Sequence, residues 1–367
     1  MPHPPLNMVF LGLSITSSWG NGHATTYRGL VRELTRRGHH VLFLERDVPW
    51  YAENRDLPRP PYGETRLYDS PEELQGRWGA AISGADLVLV GSYVPDGIAV
   101  GAIVQRLATG VTAFYDIDTP VTLAALAASS CEYLTPDLLR GFDLYLSFTG
   151  GPTLDELETE FGARAARPLY CSADPDIYRP DPGAARRWDL GYIGTYSLDR
   201  QPTLDALLCR PAGAWAAGRF VVAGPLYPPE LAWPGNVERI EHLAPGQHRA
   251  FYAAQRFTLN VTRADMVRRG YSPSVRLFEA ACCGVPIISD WWPGLDEFLL
   301  PGEEILIASS PAEVEAILQD LPETRRQAIA DAARARVLAA HTGDHRAAEL
   351  EGYAAEALRS LRKRVTA

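Results

Sequence analysis

Short apolar runs that stop at a glycine or a carboxylate, each followed by a segment of helical period, recur along this chain. They recur on both sides of one proline- and aspartate-rich stretch, residues 174–183. Residues 8–13 are apolar and give way to a polar, Gly-rich passage that ends at His23. Residues 25–37 then carry Tyr27, Leu30, Val31 and Leu34 at helical spacing, Gly38 closes the helix, and residues 40–45 read as the next strand. A strand, a Gly-rich loop, a helix and a strand in that order require a parallel sheet with a crossover connection. Further strands are expected at 86–91, 111–115, 143–148 and 167–171, with helices ending at 108 and spanning 153–161. The stretch 174–183 reads as a linker of turn formers. Beyond it the pattern restarts, with strands at 189–193, 219–223, 237–240, 257–261 and 285–289, helices at 203–209 and 245–254, and a helical carboxyl end from 311 to 365. The reading is an α/β protein of two doubly wound, Rossmann-like domains, residues 1–181 and 182–339. With the two facing each other, the carboxyl ends of both sheets would surround one cleft, where open α/β sheets bind ligands.

A length of 367 residues exceeds what one core usually holds, which agrees with two domains. A net charge of −10 argues against a nonspecific nucleic-acid binder or an anionic-membrane binder, so no nucleic-acid partner is expected. Arginine supplies nearly all the positive charge, the only lysine being Lys363. Phosphate binding therefore falls to Arg, His or backbone N–H groups. Cys131, Cys171, Cys209, Cys282 and Cys283 form no CxxC and sit in apolar runs, as reduced core residues of a cytoplasmic protein would. The amino end MPHPPLN lacks a basic n-region and an apolar h-region, so no signal peptide is expected. No apolar run approaches the length of a membrane span.

The segment YSPSVRLFEAACCGVPIISDWWPGLDEF, residues 271–298, is the most informative for function. It sets Arg276 near the start of a short helix and Glu279 one turn on, then a Gly284–Pro286 turn and a strand with Asp290 at its carboxyl end. A guanidinium beside a helix N-terminus offers N–H donors to a diphosphate, and a carboxylate accepts from ribose hydroxyls. The plain alternative is a surface i,i+3 ion pair. In the amino half, Gly20, Asn21 and Gly22 let the backbone approach a ligand, as a phosphate or acceptor loop would, and His23 offers an imidazole that can take a proton. Asp116 and Asp118 follow a strand in D-x-D form. They could hold a metal, orient His23 or bind acceptor hydroxyls, and metal binding is the least favoured of the three. Leu243, in the turn after a strand, could present backbone groups to a base or simply be a βα turn. Trp291 and Trp292 could line a sugar site, with at least one of them expected in the core.

The string RLFEAACCGVPIISD resembles the EAMACGxPVI motif of family 4 glycosyltransferases of the GT-B fold. The longer GYSPSVRLFEAACCGVPIISD is closer to the CgeB-like branch, and residues 173–180 resemble the linker of the same families. The resemblance implies that Glu279 is the second glutamate of the family's E-x7-E pattern and holds the ribose. The first glutamate position is Tyr271, which is not a carboxylate, so the donor-sugar contacts depart from the family's. The family's Arg and Lys after the first strand of this domain fall on Thr195 and Arg200, and Arg276 and Arg263 are candidate replacement cations. Gly194, Leu243 and Ser274 complete the donor set. His23 stands where inverting GT-B enzymes carry their base, with an aspartate from a loop like that of Asp116 and Asp118 as its partner. The terminal helices, residues 340–367, would cross back to the first domain.

The resemblance implies a metal-independent glycosyltransferase whose partners are a nucleoside-diphosphate sugar, as co-substrate rather than cofactor, and an unidentified acceptor. Stereochemistry stays open with retention slightly favoured: the donor side favours retention, while His23 suits inversion. A nucleotide-sugar epimerase of the same fold and a non-catalytic nucleotide-sugar binding protein remain as alternatives.

Overall fold

The computed structural model describes residues 4–366. The chain divides into two units, one formed by Met1–Cys171 with Gly343–Ala367, the other by Ser172–Thr342. The first division falls earlier than the expected break after residue 181, because the turn-rich stretch folds onto the second unit: Tyr178 is 3% exposed and Ala173 N–H donates to His341 O.

The first unit is a seven-stranded sheet. Its strands are β1 (Asn7–Gly12), β2 (His40–Arg46), β3 (Glu64–Tyr68), β4 (Leu87–Gly91), β5 (Val111–Asp116), β6 (Leu144–Ser147) and β7 (Ala166–Pro168). They run parallel in the order β3-β2-β1-β4-β5-β6-β7. Every residue of β4 is buried, the signature of a sheet covered on both faces. The helix His23–Arg36 lays Tyr27 edge-on to Phe43 and Tyr115, at ring-centroid distances of 5.2 and 5.9 Å. Two glycines make that approach possible: a Cβ at Gly91 would lie 2.1 Å from the Tyr27 hydroxyl, and one at Gly12 would lie 2.3 Å from the Phe43 ring. Complete burial of a ring such as Phe43 stabilises by about 1.5–3 kcal/mol.

The helix Gly343–Thr366 belongs to this unit and packs along the helix His23–Arg36. Arg37 grips Glu351 with Nε and Nη2, both at 2.8 Å, and reaches Asp344 with Nη1 at 2.7 Å. His39 accepts the Leu6 N–H at Nδ1 and holds Glu351 at 2.6 Å through Nε2. The hydrogen bonds from Arg37 hold the Glu351 carboxyl below the usual carboxylate range.

The second unit is a six-stranded sheet of β8 (Trp188–Ile193), β9 (Phe220–Ala223), β10 (Val237–Ile240), β11 (Gln255–Asn260), β12 (Ile287–Ser289) and β13 (Leu306–Ile307). All pairs are parallel, in the order β10-β9-β8-β11-β12-β13. Each sheet thus winds outward in both directions from its first strand. The strand order reverses between β1 and β4 in one unit and between β8 and β11 in the other. Ligands of open α/β sheets bind at the carboxyl ends of strands beside such a reversal.

Departures from the sequence reading are local. The helix expected over 203–209 is a short α-helix, Gln201–Leu204, running into a π-helical turn, Asp205–Cys209. The helical carboxyl end is three helices, Pro311–Asp320, Glu323–Ala340 and Gly343–Thr366. The five cysteines are free, and all but Cys131 are buried. No helix among the described residues is long and apolar enough to cross a membrane.

Candidate functional site

In the second unit the loops after β8 and β11 are joined by charged side chains. Arg276, the second residue of the helix Val275–Cys282, is 8% exposed. Its Nε donates to Ile193 O at the end of β8 (2.7 Å), and its Nη1 donates to Asn260 Oδ1 at the end of β11 (2.6 Å). The guanidinium lies over the Tyr192 ring at 4.7 Å. One arginine therefore spans the strand-order reversal of this sheet. Its Nη2 makes no hydrogen bond among the described residues and passes beside Gly194, where a Cβ would stand 3.0 Å from it. Ser274 Oγ donates to the same Asn260 oxygen at 2.8 Å, and Asn260 Nδ2 donates to Ser289 Oγ. Asn260, itself held by Ser289, and Ile193 O thus orient Arg276.

Arg200 stands in the loop after β8, its Nη2 donating to Thr195 O at 2.7 Å and its Nε buried without a hydrogen-bond partner. The turn Gly194–Thr195 is held by backbone bonds from Gly194 N–H to Ala223 O and from Tyr196 N–H to Pro225 O. The Tyr227 hydroxyl bonds Gly194 O and sits within electrostatic reach of Arg200 and Arg276. Arg263, after β11, approaches Asp199 at 3.7 Å, and Asp199 also accepts the Ala264 N–H. Asp290 accepts from the Thr262 N–H and hydroxyl, fixing the loop that carries Arg263; its burial pushes the carboxyl up. Tyr271 adopts a left-handed backbone (φ 50°) and donates its N–H to Pro293 O, beside Gly294.

Glu279 is 3% exposed and does not pair with Arg276, so the surface ion pair is not what forms. Its carboxylate accepts from the Tyr252 hydroxyl at 3.3 Å, with His248 Nδ1 3.7 Å away. His248 Nε2 bonds Leu243 O, which leaves Nδ1 to accept from the Tyr178 hydroxyl at 3.3 Å. Desolvation, reinforced by the Glu279 charge, holds the Tyr178 and Tyr252 hydroxyls well above their ordinary range. Leu243 and Glu279, far apart in sequence, are thus linked through His248 and Tyr178. Tyr252, His248, Tyr178 and Asn260 were missed at the sequence level. Asn260 alone carried a signal there, as a buried polar residue ending an apolar strand.

In the first unit the loop after β1 is pinned throughout. Asn21 is 4% exposed; its Nδ2 donates to Ser14 O and Ser17 O, and its Oδ1 accepts the His23 N–H. Asn21 thus shapes the loop, between Gly20 (φ 60°) and the exposed Gly22. The wholly buried Glu45 carboxylate accepts from the Ile15 and Thr16 N–H groups and the Thr16 hydroxyl. His23 opens the helix His23–Arg36, half-buried, with the Tyr93 and Phe148 rings 6.3 and 6.4 Å away. Desolvation lowers its pKa, which keeps the imidazole neutral at pH 7 and makes it a weaker base than an imidazole in water.

The structure does not bring Asp116 to His23 or to solvent. Asp116 is fully buried, its oxygens taken by the Tyr145 hydroxyl (2.5 Å), the Thr122 hydroxyl (2.9 Å) and the Asp118 N–H. A carboxylate so enclosed has no room for a metal ion or an acceptor hydroxyl. Asp118 differs: Tyr93 donates its hydroxyl to Asp118 Oδ2 at 3.0 Å, and the same Tyr93 ring flanks His23. Tyr93 holds a left-handed backbone (φ 62°), a costly conformation for a bulky residue that marks a constrained loop. Trp292 is buried against Phe298 and Trp291 is exposed, so one of the two belongs to the core.

Residues 200–352 match the family described as glycosyl transferase-like. No curated protein matches the chain. Among solved structures, sucrose-phosphate synthase from Thermosynechococcus elongatus superposes with a TM-score of 0.69 at 14% identity, covering 96% of this chain and 100% of that one. HepE of Anabaena, solved in complex with UDP-glucose, gives 0.69 at 16% identity, covering 97% and 100%. A glycosyltransferase from Rickettsia africae gives 0.66 at 10%, covering 96% and 99%. The chain therefore has the fold of the GT-B glycosyltransferases and carries a glycosyl transferase-like domain over residues 200–352.

Proposed function

We propose that this protein is a glycosyltransferase that takes its sugar from a nucleoside diphosphate, with uridine diphosphate as the first nucleotide to test. One observation carries the reading: Arg276 is fixed across the strand-order reversal by Ile193 O and Asn260, with Nη2 left uncommitted. Held donors facing an oxyanion need no reorganisation as charge develops on the leaving diphosphate. Arg200, with its unmet Nε, is the second cation. Glu279 receives the ribose, and the turn carrying Leu243 meets the base. The choice of uridine follows the nucleotide sugar held by HepE.

Two arginines meet the phosphate charge in this scheme without a metal ion, so a chelator leaves turnover unchanged. On the acceptor side His23 takes the proton from the attacking hydroxyl, and Asp118 acts on it through Tyr93. A base of this kind goes with inversion at the anomeric carbon, whereas the donor-side likeness favours retention, and NMR of the product distinguishes the two directly. The likeness to the CgeB-like branch rests on GYSPSVRLFEAACCGVPIISD, and a cytoplasmic setting fits five free cysteines.

Thermal melting of the protein with a panel of nucleoside diphosphates tests the donor. A rise with uridine diphosphate that Arg276→Ala abolishes supports the reading. No shift with any nucleotide sinks it. A shift accompanied by release of an epimerised nucleotide sugar, and no transfer, would replace it with the isomerase alternative.

A further inference from the structure

The segment after β2 places an aromatic surface beside the loop that ends on His23. Trp50 lies in the short helix Pro49–Ala52 and is 56% exposed. Trp19, in the loop after β1, meets it edge-on at a centroid distance of 6.4 Å and 63°. The chain around this exposed indole is tied down by hydrogen bonds. Asn54 Nδ2 donates to Trp50 O, and Ser17 Oγ donates to Asn54 O. Leu57 N–H donates to Thr16 O, and Ser18 N–H to Asp56 Oδ1. Arg28 then clamps Asp56 with two bonds, at 2.8 and 3.0 Å. The 14–22 and 47–57 segments form one braced structure, with a large apolar ring held in water at its edge.

We infer that Trp50 and Trp19 are the stacking platform for a neutral sugar ring of the acceptor. The inference rests on the glycosyltransferase reading and adds to it the acceptor's chemical class. A pyranose offers an apolar C–H face to an indole and hydroxyls at its rim, and ring stacking on an aromatic side chain is strong without being ionic. Of the charged residues that brace the platform, Arg28 is paired with Asp56 and Arg55 with Asp47 at 2.6 Å, while Glu53 and Arg59 are exposed. An ionic head group would find no uncommitted counter-charge on the four paired residues. A lipid tail would need a continuous apolar groove, yet the large exposed hydrophobics among the described residues of this unit are Trp50 and Ile98 alone. His23 stands four residues after Trp19, at the end of the same braced loop.

The test is binding of the full-length protein, loaded with uridine diphosphate, to a broad array of neutral mono- to tetrasaccharides, followed by titration of the best glycan with intrinsic fluorescence as readout. The expected result is glycan binding that quenches indole emission and weakens tenfold or more in Trp50→Ala. Trp50→Phe should retain most of it, and the melting shift given by uridine diphosphate should be the same in all three proteins. That last arm separates the two claims, since loss of the nucleotide shift in the parent fails the donor reading and not the platform. Binding to no glycan on the array, or glycan binding indifferent to both Trp50→Ala and Trp19→Ala, overturns the inference. Transfer to an aromatic or polyprenyl-phosphate acceptor that Trp50→Ala leaves unchanged does so as well.

Discussion

The two sheets share one strand order, yet their reversal points are furnished in opposite ways. Between β8 and β11 a buried arginine is tied to Ile193 O and Asn260, with a further unmet donor, Nε, on Arg200. In the first unit the loop after β1, beside the β1–β4 reversal, is held by the buried Glu45 carboxylate at the end of β2, which accepts from the backbone of residues 15 and 16, and the candidate base there is the His23 imidazole. Topology therefore supplies a place at the strand ends and nothing more. In the second unit the side chains offer N–H donors there, as the proposed diphosphate site requires, and in the first they offer an imidazole beside aromatic rings, as the proposed base requires.

The sharpest way to break this contrast is His23→Ala. It should lower turnover by roughly 10²- to 10⁴-fold, the range for a positioned acid–base group, while uridine diphosphate binds as before. Activity within a few-fold of the parent would strip the first unit of its base. Gly194→Ala attacks the second unit by crowding alone. A methyl there falls 2.5 Å from the Tyr192 hydroxyl and 3.0 Å from Arg276 Nη2, so the Tyr192 ring must shift and the guanidinium lying over it must give with it. Isothermal titration should show donor affinity weakened by about 1–3 kcal/mol, as for a small-to-large change in a packed site. Unchanged affinity would mean that Nη2 does not touch the donor.

The contrast also predicts a pH profile. Burial lowers the His23 pKa below the ordinary 6.5, so the proton-accepting form persists as pH falls through that value. Turnover at saturating substrate should then stay level from about pH 8 to about pH 6. A fall centred on 6.5 would put the ring in open water and remove the difference in environment. The smallest effect expected is that of Trp291→Ala, an exposed residue, which should change stability by within about 0.5 kcal/mol by thermal melting.

What the sequence disclosed follows from burial. Central strands such as β4 and β5 read clearly because parallel strands covered on both faces are largely apolar runs. The edge strands did not read. β3 is ETRLY, with a single buried residue, and β13 is two residues long. Neither presents the period a strand is recognised by, and the helix Pro71–Gly84 between β3 and β4 went unread with them. Arg276 and Glu279 were legible because a motif places them. Tyr178, His248 and Tyr252 were not, since they join Glu279 from a linker and a separate helix that only folding brings together. Asp116 misled for the converse reason: a carboxylate at a strand end looks available, and only the Tyr145 and Thr122 hydroxyls closing over it show otherwise.

The division of labour is tested most directly by titrating uridine diphosphate into three proteins by calorimetry: the parent, Arg276→Ala and His23→Ala. The account predicts that the parent and His23→Ala bind alike, while Arg276→Ala loses roughly 1.5–3 kcal/mol, the range for a hydrogen bond to a charged group. Equal binding by all three, or a loss confined to His23→Ala, would contradict it.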